Sequence, residues 1–333
     1  MSPDSTGEDL APCSTTGFTI ADRNYFIGLV AMLTSLRRQG HAFPMVVLDL
    51  GLTAPQREIL EREFGVSLFE RSEVADRHPF LLGPFAHLLE PNGLVVYLDA
   101  DVIVTRPLDD MLEAAGAGKF CAFPDLVPER WFSEWAPTLA LTAPMRRETY
   151  VNLGCVVFST EEFPDLLRRW WECCADLATT VCLPAPPDQP FAYADQDVLN
   201  ALLMSEVPAE RKWILSRDAQ PMRWRELART KLVDTRTLAC TFDGNPTAVL
   251  HAVTTPKPWQ PQWRRALYAS GYERCLREAV AASASAVRAS ETPLPLWLRP
   301  GWRGTLRWRL GSWKTEGRRR LAPVKRAVRR GLS

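Results

Sequence analysis

The sequence predicts an α/β protein: a mostly parallel central sheet flanked by helices, forming one main domain with a basic, aromatic tail. Three observations predict it. Short apolar runs rich in β-branched residues alternate with helical patterns from Gly17 onward, the arrangement that gives parallel strands joined by crossover helices. The run Leu94-Val95-Val96-Tyr97-Leu98 is apolar at every position rather than every second one, as in a strand buried on both faces. At 333 residues and 46% hydrophobic content, the chain can bury a large core.

Taken in order, residues 1–16 read as a flexible leader. Residues 17–21 form a first strand, followed at once by Asp22-Arg23-Asn24-Tyr25 and an apolar helix that stops near Gly40. This opening has the nucleotide-binding form but carries neither G-x-G-x-x-G nor a P-loop, so phosphate is not expected to be cradled here. Residues 43–50 are a second strand, and Thr53 and Gln56 make a capping box for a helix ending at Gly65. Residues 66–69 are a third strand, and residues 79–90 a helix leading into the central strand. Residues 102–104 and a short helix near Leu108 follow, then a strand over 119–123 that ends in Pro124-Asp125.

Residues 126–150, rich in Trp, Pro and Arg, show no period and are expected to form a long connection over the site. Residues 152–158 are a strand, with Ser159 and Glu162 capping a long helix. After a proline-rich turn over 184–190, Tyr193 to Asn200 opens a helix with three polar groups in its first turn. Residues 249–253 are a last strand interrupted by His251. Residues 282–296 read as a linker.

The net charge of +1 conceals an asymmetry: residues 299–333 hold twelve Arg or Lys and the single acid Glu316, so the rest of the chain carries about −10. Basic character confined to a tail argues against a nucleic-acid groove in the body and for an anionic partner of the tail. There Trp297, Trp302, Trp308 and Trp313 interleave with arginines. Leu321, Val324, Val328 and Leu332 fall on one helical face, and Lys325, Arg326, Arg329 and Arg330 elsewhere. Tryptophans are costly to leave in water, so residues 297–333 are expected to associate with an anionic membrane surface; a solvated end is the plain alternative.

Eight cysteines lack C-x-x-C or metal-knuckle spacing and read as free thiols, Cys173 and Cys174 as two helix-interior ones. The polar start of the chain offers no signal peptide, and no apolar run approaches ~18 residues. The expected location is cytoplasmic, peripheral on the inner face of the membrane.

The central strand runs into Asp99-Ala100-Asp101. In extended backbone both carboxylates project to the same side, at the strand end where open α/β sheets place their chemistry. Two such carboxylates repel unless a cation sits between them, and hard oxygen ligands favour magnesium or manganese. Solvated or capping aspartates account for the spacing as well. Taken singly, His251 reads as a core histidine, and Asp195 and Asp197 as acids favouring a helix dipole.

Five stretches have to be explained together: Ile20 to Tyr25, Tyr97 to Asp101, Asn152-Leu153-Gly154, Asp195 to Asn200, and His251 with Lys257-Pro258-Trp259. In this order and at these distances they resemble the retaining nucleotide-sugar glycosyltransferases of family 8, which have the GT-A fold; the likeness spans roughly residues 17–265. The resemblance implies that Asp99 and Asp101 are the metal-binding D-x-D and that His251 completes a manganese site. It implies that Lys257 holds the donor diphosphate, and that Ile20, Ala21, Asp22, Asn24 and Tyr25, with Asp99, contact the nucleotide. It places Asp125, Asn152, Asp195 and Gln196 around the donor sugar, with Gln196 nearest the anomeric carbon. Beside it stands a physical reading: two carboxylates and an imidazole make a mixed oxygen and nitrogen site suited to manganese, with magnesium as second choice. Two positions depart from the family. Its usual glycine between the histidine and the lysine is Thr254 here, and its arginine before the D-x-D strand is absent from residues 79–90, where His87 is the one substitute.

The resulting expectation is a metal-dependent, retaining hexosyltransferase domain over 17–281, a linker over 282–296 and a membrane-associating tail over 297–333. It would move a sugar from a nucleotide diphosphate sugar, a UDP-sugar, to a glycan or lipid-linked acceptor, as in polysaccharide biosynthesis. A nucleotidyltransferase making activated sugars shares the sheet, but it should show a glycine- and arginine-rich phosphate loop where Ala21 to Tyr25 stands. A non-catalytic membrane or nucleic-acid binding protein driven by the tail gives no reason for His251 and Lys257.

Overall fold

The computed structural model describes residues 14–70, 78–260, 270–299 and 301–313. Of the leader expected over residues 1–16, residues 1–13 lie outside the described residues, as does the apolar face of Leu321, Val324, Val328 and Leu332, whereas Thr15 and Thr16 already belong to the first strand.

The central sheet has seven strands in the order β3-β2-β1-β4-β7-β6-β8: β1 (Thr15–Ala21), β2 (Met45–Asp49), β3 (Ser67–Phe69), β4 (Leu94–Leu98), β6 (Phe120–Pro124), β7 (Val151–Ser159) and β8 (Lys212–Ile214). Six run in one direction, and β7 alone is antiparallel to both its neighbours. The continuous apolar run of β4 has the reason expected of it. Val96 and Leu98 enter one hydrophobic cluster and Val95 and Tyr97 the other, on the opposite face of the sheet. Helix α1 (Phe26–Arg38) belongs to the first cluster. Helices α4 (Leu166–Thr180) and α5 (Ala194–Glu206) belong to the second.

Local signals account for several boundaries. Helix α2 (Ala54–Phe64) starts at the Thr53–Gln56 capping box and stops at Gly65, whose φ of 62° is left-handed. Helix α3 (Asp109–Gly116) carries two acids in its first turn. Residues 79–90 are not the expected α-helix but two 3₁₀ pieces, Pro79–Leu81 and Gly83–Leu89. Pro79 and Pro84 lack the N–H that an α-helical ladder needs. Ser159 does accept from the Glu162 N–H at 3.4 Å, but α4 starts only at Leu166, because Pro164 disfavours helix in the residue before it.

Two smaller sheets complete the frame. One is a meander of β9 (Lys231–Asp234), β10 (Ala239–Phe242) and β11 (Asn245–Pro246); the other pairs β5 (Val102–Val104) with β12 (Val249–His251), antiparallel. Helix α6 (Gly271–Ala282) then packs through Tyr272, Cys275, Leu276 and Ala279 into the first cluster.

The stretch expected as a linker departs from that reading. Residues Ala284–Ala289 form helix α7 and bury Ala286 and Val287. Gln56 donates to Thr292 Oγ1 at 2.9 Å. Alanine and serine are compatible with a mobile linker, but their small side chains also let a short helix pack closely. Of the four tail tryptophans, Trp297 is buried and stacks on Trp308 at 5.6 Å, whereas Trp302 and Trp313 are exposed. No helix of the described residues is long and apolar enough to cross a membrane.

Candidate active site

The site begins where β4 ends. Asp99 and Asp101 do not converge through extended backbone, as expected; Asp99-Ala100-Asp101 is a turn closed by the Val102 N–H donating to the Asp99 carbonyl at 3.0 Å. The chain then enters β5, whose register pairs Val102 with His251. Strand pairing thus carries an imidazole 150 residues away in sequence to the two carboxylates. His251 Nε2 lies 3.0 Å from Asp101 Oδ1 and 3.3 Å from Asp99 Oδ2. The carbonyl of Asp101 is held by Tyr272 OH at 2.9 Å and by the Ala252 N–H at 3.2 Å.

A glycine makes room for the ring. A Cβ on Gly154 would lie 2.3 Å from His251 Cε1 and 2.8 Å from Asn152 Oδ1. The imidazole approaches β7 this closely because position 154 has no side chain.

The charges are balanced within the cluster. Burial disfavours the Asp101 carboxylate, but Lys257, with Nζ at 2.5 Å, and His251 outweigh it and hold its pKa well below the carboxylate range. Burial likewise opposes charge on His251, yet Asp101 and Asp99 raise its pKa to about 9. Without a metal, His251 is therefore an imidazolium bridging two carboxylates at neutral pH. Asp99, Asp101 and His251 fit a divalent cation, since each offers one ligand atom and these three atoms lie within 4.8 Å of one another.

These residues open onto a pocket of about 470 Å³. Ile20 and Tyr25 line it on one side, Asp125, Asn152, Asp195 and Gln196 on the other, with Phe80, Val127 and Tyr193 at the rim. Ala21, Asp22 and Asn24 do not line it. Ala21 is buried, and Asp22 accepts from the N–H groups of Asn24 and Tyr25 and from Asn24 Nδ2, which sets the turn into α1. Trp259 ties that turn to the Lys257 segment by donating to the Asn24 carbonyl at 2.8 Å. His87 and Thr254 are not among the lining residues, and Lys257 is the one Lys or Arg among those described.

Gln196 is fixed from four directions. Its Nε2 donates to Asp125 Oδ2 (3.2 Å) and Tyr150 OH (3.0 Å), while Oε1 accepts from the Leu153 N–H (2.9 Å) and Asn152 Nδ2 (3.3 Å). Asp195 accepts from the Gly83 and Gln196 N–H groups, and burial followed by Asp99 pushes its pKa well above the usual range.

Asp197 has a different role. It is buried and holds Arg130 through two hydrogen bonds of 2.7 and 2.8 Å, while Tyr150 OH donates to it at 2.6 Å. Arg130 also donates to the Pro187 and Gln189 carbonyls. This pins the 126–150 connection and the proline-rich turn to the start of α5. Arg130 and Tyr150 escaped the sequence reading because the connection that carries them has no period.

No protein-family profile matches the chain, and no curated protein matches it in sequence. Solved structures do. The galactosyltransferase LgtC, in complex with donor and acceptor sugar analogs, superposes with a TM-score of 0.53 at 18% identity, over 79% of this chain and 95% of that one. An active-site mutant of LgtC gives 0.52 at 19% identity over the same shares. The bifunctional glycosyltransferase WbbM in its apo form gives 0.52 at 16% identity over 85% of this chain, which spans about half (52%) of that protein.

The chain has the GT-A fold. In GT-A terms the Asp99-Ala100-Asp101 turn stands at the carboxyl end of β4, where a parallel sheet opens its ligand crevice.

Proposed function

We propose that the protein is a metal-dependent glycosyltransferase that moves a sugar from a nucleotide diphosphate sugar, a UDP-sugar, to a saccharide or lipid-linked hydroxyl with retention of anomeric configuration. The observation that carries this reading is the convergence of Asp99, Asp101 and His251 on one point of a pocket whose far wall is the Asp125–Asn152–Gln196 network. Four aspartates line that pocket against Lys257 and the imidazolium of His251. A diphosphate enters such surroundings only with a cation, which supports metal dependence. The GT-A fold shared with LgtC and WbbM agrees with it.

Asp99, Asp101 and His251 would hold the metal. Bound there, it would supply Lewis-acid stabilisation of the leaving diphosphate. Lys257 would take the diphosphate oxygens from the other side, and Ile20 and Tyr25 would flank the nucleotide. Asp125, Asn152 and Asp195 would orient the sugar hydroxyls. Gln196 would face the sugar as an amide with its atoms already hydrogen-bonded, a poor nucleophile. Retention is therefore assigned to same-face attack: the bond from the anomeric carbon to the phosphate oxygen breaks, the bond to the acceptor oxygen forms on the same face, and a phosphate oxygen takes the acceptor proton.

Melting curves with UDP, UDP-glucose and UDP-galactose, each with and without manganese, test the donor site, because a ligand of the native state raises Tm. The expected result is a shift that needs both metal and nucleotide. No shift with any UDP species would remove the reading. Proton NMR of the new linkage tests retention, and a β-linked product from an α-linked donor would overturn the mechanism.

A further inference from the structure

Residues 302–313 form a helix on the surface of the domain, beyond the last core element. Its inner face is packed: Gly304 and Gly311 are buried, and Trp308 stacks on the buried Trp297. Gly304 allows that approach, since a Cβ there would lie 1.9 Å from the Arg299 carbonyl oxygen. Arg277 on α6 fastens the element by donating to the Trp297 carbonyl at 2.7 Å and to Thr305 Oγ1 at 2.9 Å. The helix is therefore held in one orientation.

Its outer face is apolar. Trp302, Leu306, Leu310 and Trp313 are 71%, 49%, 52% and 75% exposed. At about 100° per residue they fall within roughly an 80° arc. Arg309 borders this arc on one side, and Arg303 and Arg307 on the other; all three are exposed. An apolar stripe with long cations along both margins is the form of a helix lying in a lipid interface, with its tryptophans at headgroup depth and its arginines reaching outward to phosphate.

We infer that this face docks the protein on an anionic lipid surface. Charge selects that occupant over a second copy of the chain. Arg303, Arg307 and Arg309 along the margins of the stripe would face their own kind across a symmetric contact. They would meet opposite charge on an anionic leaflet. The inference also corrects the sequence reading, in which all four tryptophans served the surface. Trp297 and Trp308 hold the helix to the body, and Trp302 and Trp313 face outward.

Flotation of the full chain with phosphatidylcholine vesicles, with or without about 30% phosphatidylglycerol, tests it at roughly physiological salt. Wild type is expected to float with the anionic vesicles only. Trp302→Ser/Trp313→Ser should weaken that partition at least about tenfold with Tm unchanged, whereas Trp308→Ser should lower Tm. Equal flotation of wild type and the double variant would show that tail charge alone binds, and would overturn the docking face. Equal flotation of wild type on both vesicle types would overturn the anionic requirement. A wild-type dimer that the double variant splits, with flotation unchanged, would assign the stripe to self-association instead. Nucleotide-sugar melting shifts in the same double variant keep the donor-site reading separate, since none of these residues lines the pocket.

Discussion

Asn152 Oδ1 lies 3.0 Å from His251 Nδ1 and can only accept there. The amide nitrogen of Asn152 is committed to Asp125 Oδ2 at 2.9 Å, and Oδ1 already accepts from the Gly154 N–H at 3.0 Å. His251 therefore carries hydrogen on Nδ1 and turns Nε2 to the two carboxylates. One asparagine sets both which nitrogen of the histidine faces the carboxylates and, through Gln196, the wall where the sugar would lie.

Asn152→Ala should accordingly weaken manganese binding by about 10- to 100-fold, the usual effect of removing the partner that orients a ligating histidine. Titration of manganese followed by electron paramagnetic resonance measures it, with circular dichroism to check the fold. Unchanged affinity would separate Asn152 from the metal site.

Metal affinity should depend on pH with a defined sign. The His251 pKa, raised to about 9 in the metal-free protein, means that a metal must displace a proton from Nε2 below that value. Manganese affinity is expected to rise about tenfold per pH unit from about pH 6 to 9 and to level off above, with about one proton released per metal bound. Calorimetry in buffers of different ionisation enthalpy reads the proton directly. A flat profile would place the metal away from His251.

Much of the frame was legible because it rests on local chemistry. The both-face burial of β4, the Thr53 capping box and the strand–turn–helix opening each depend on a few adjacent residues. The convergence of Asp99 and Asp101 was reached for the wrong reason. Extended backbone put them on one side in the sequence reading, whereas a turn and the β5–β12 pairing bring them to His251. The Arg130–Asp197–Tyr150 cluster was not legible, since its three members share no period and meet only through tertiary packing. Helix α7 was misread because alanine and serine look the same in a linker and in a tight contact.

The Arg130–Asp197 pair lends itself to a double-mutant cycle. Both side chains are buried, so removing one leaves the other without its counter-charge. Arg130→Met is expected to cost about 3–5 kcal/mol of stability. Arg130→Met/Asp197→Asn should be less destabilised than the sum of its single variants, because neither charge is then stranded. Urea unfolding measures the three variants. Simple additivity would mean that the pair does not act as a unit.

Asp195 should trade stability for function. Its carboxyl is pushed well above the ordinary range, first by burial and then by Asp99. A carboxyl with a raised folded pKa holds its proton more tightly in the folded chain. Its penalty is therefore absent below the unfolded value of about 3.9, and it grows as pH rises from there toward the folded pKa. Asparagine keeps the shape and one acceptor for the Gly83 or Gln196 N–H, and it carries no charge. Asp195→Asn is thus expected to raise Tm at pH 7 by at least about 2 °C, with the gain fading as pH approaches about 4. Its turnover should fall by roughly 10- to 100-fold, about 1.4–2.7 kcal/mol of transition-state stabilisation, because the group that would orient the donor sugar has lost one of its two oxygens. Paired calorimetric scans and initial rates across pH check both halves. A variant less stable than wild type at pH 7 would show that the two backbone hydrogen bonds outweigh the cost of burying this acid, and would remove the basis for placing a destabilising carboxyl at this position.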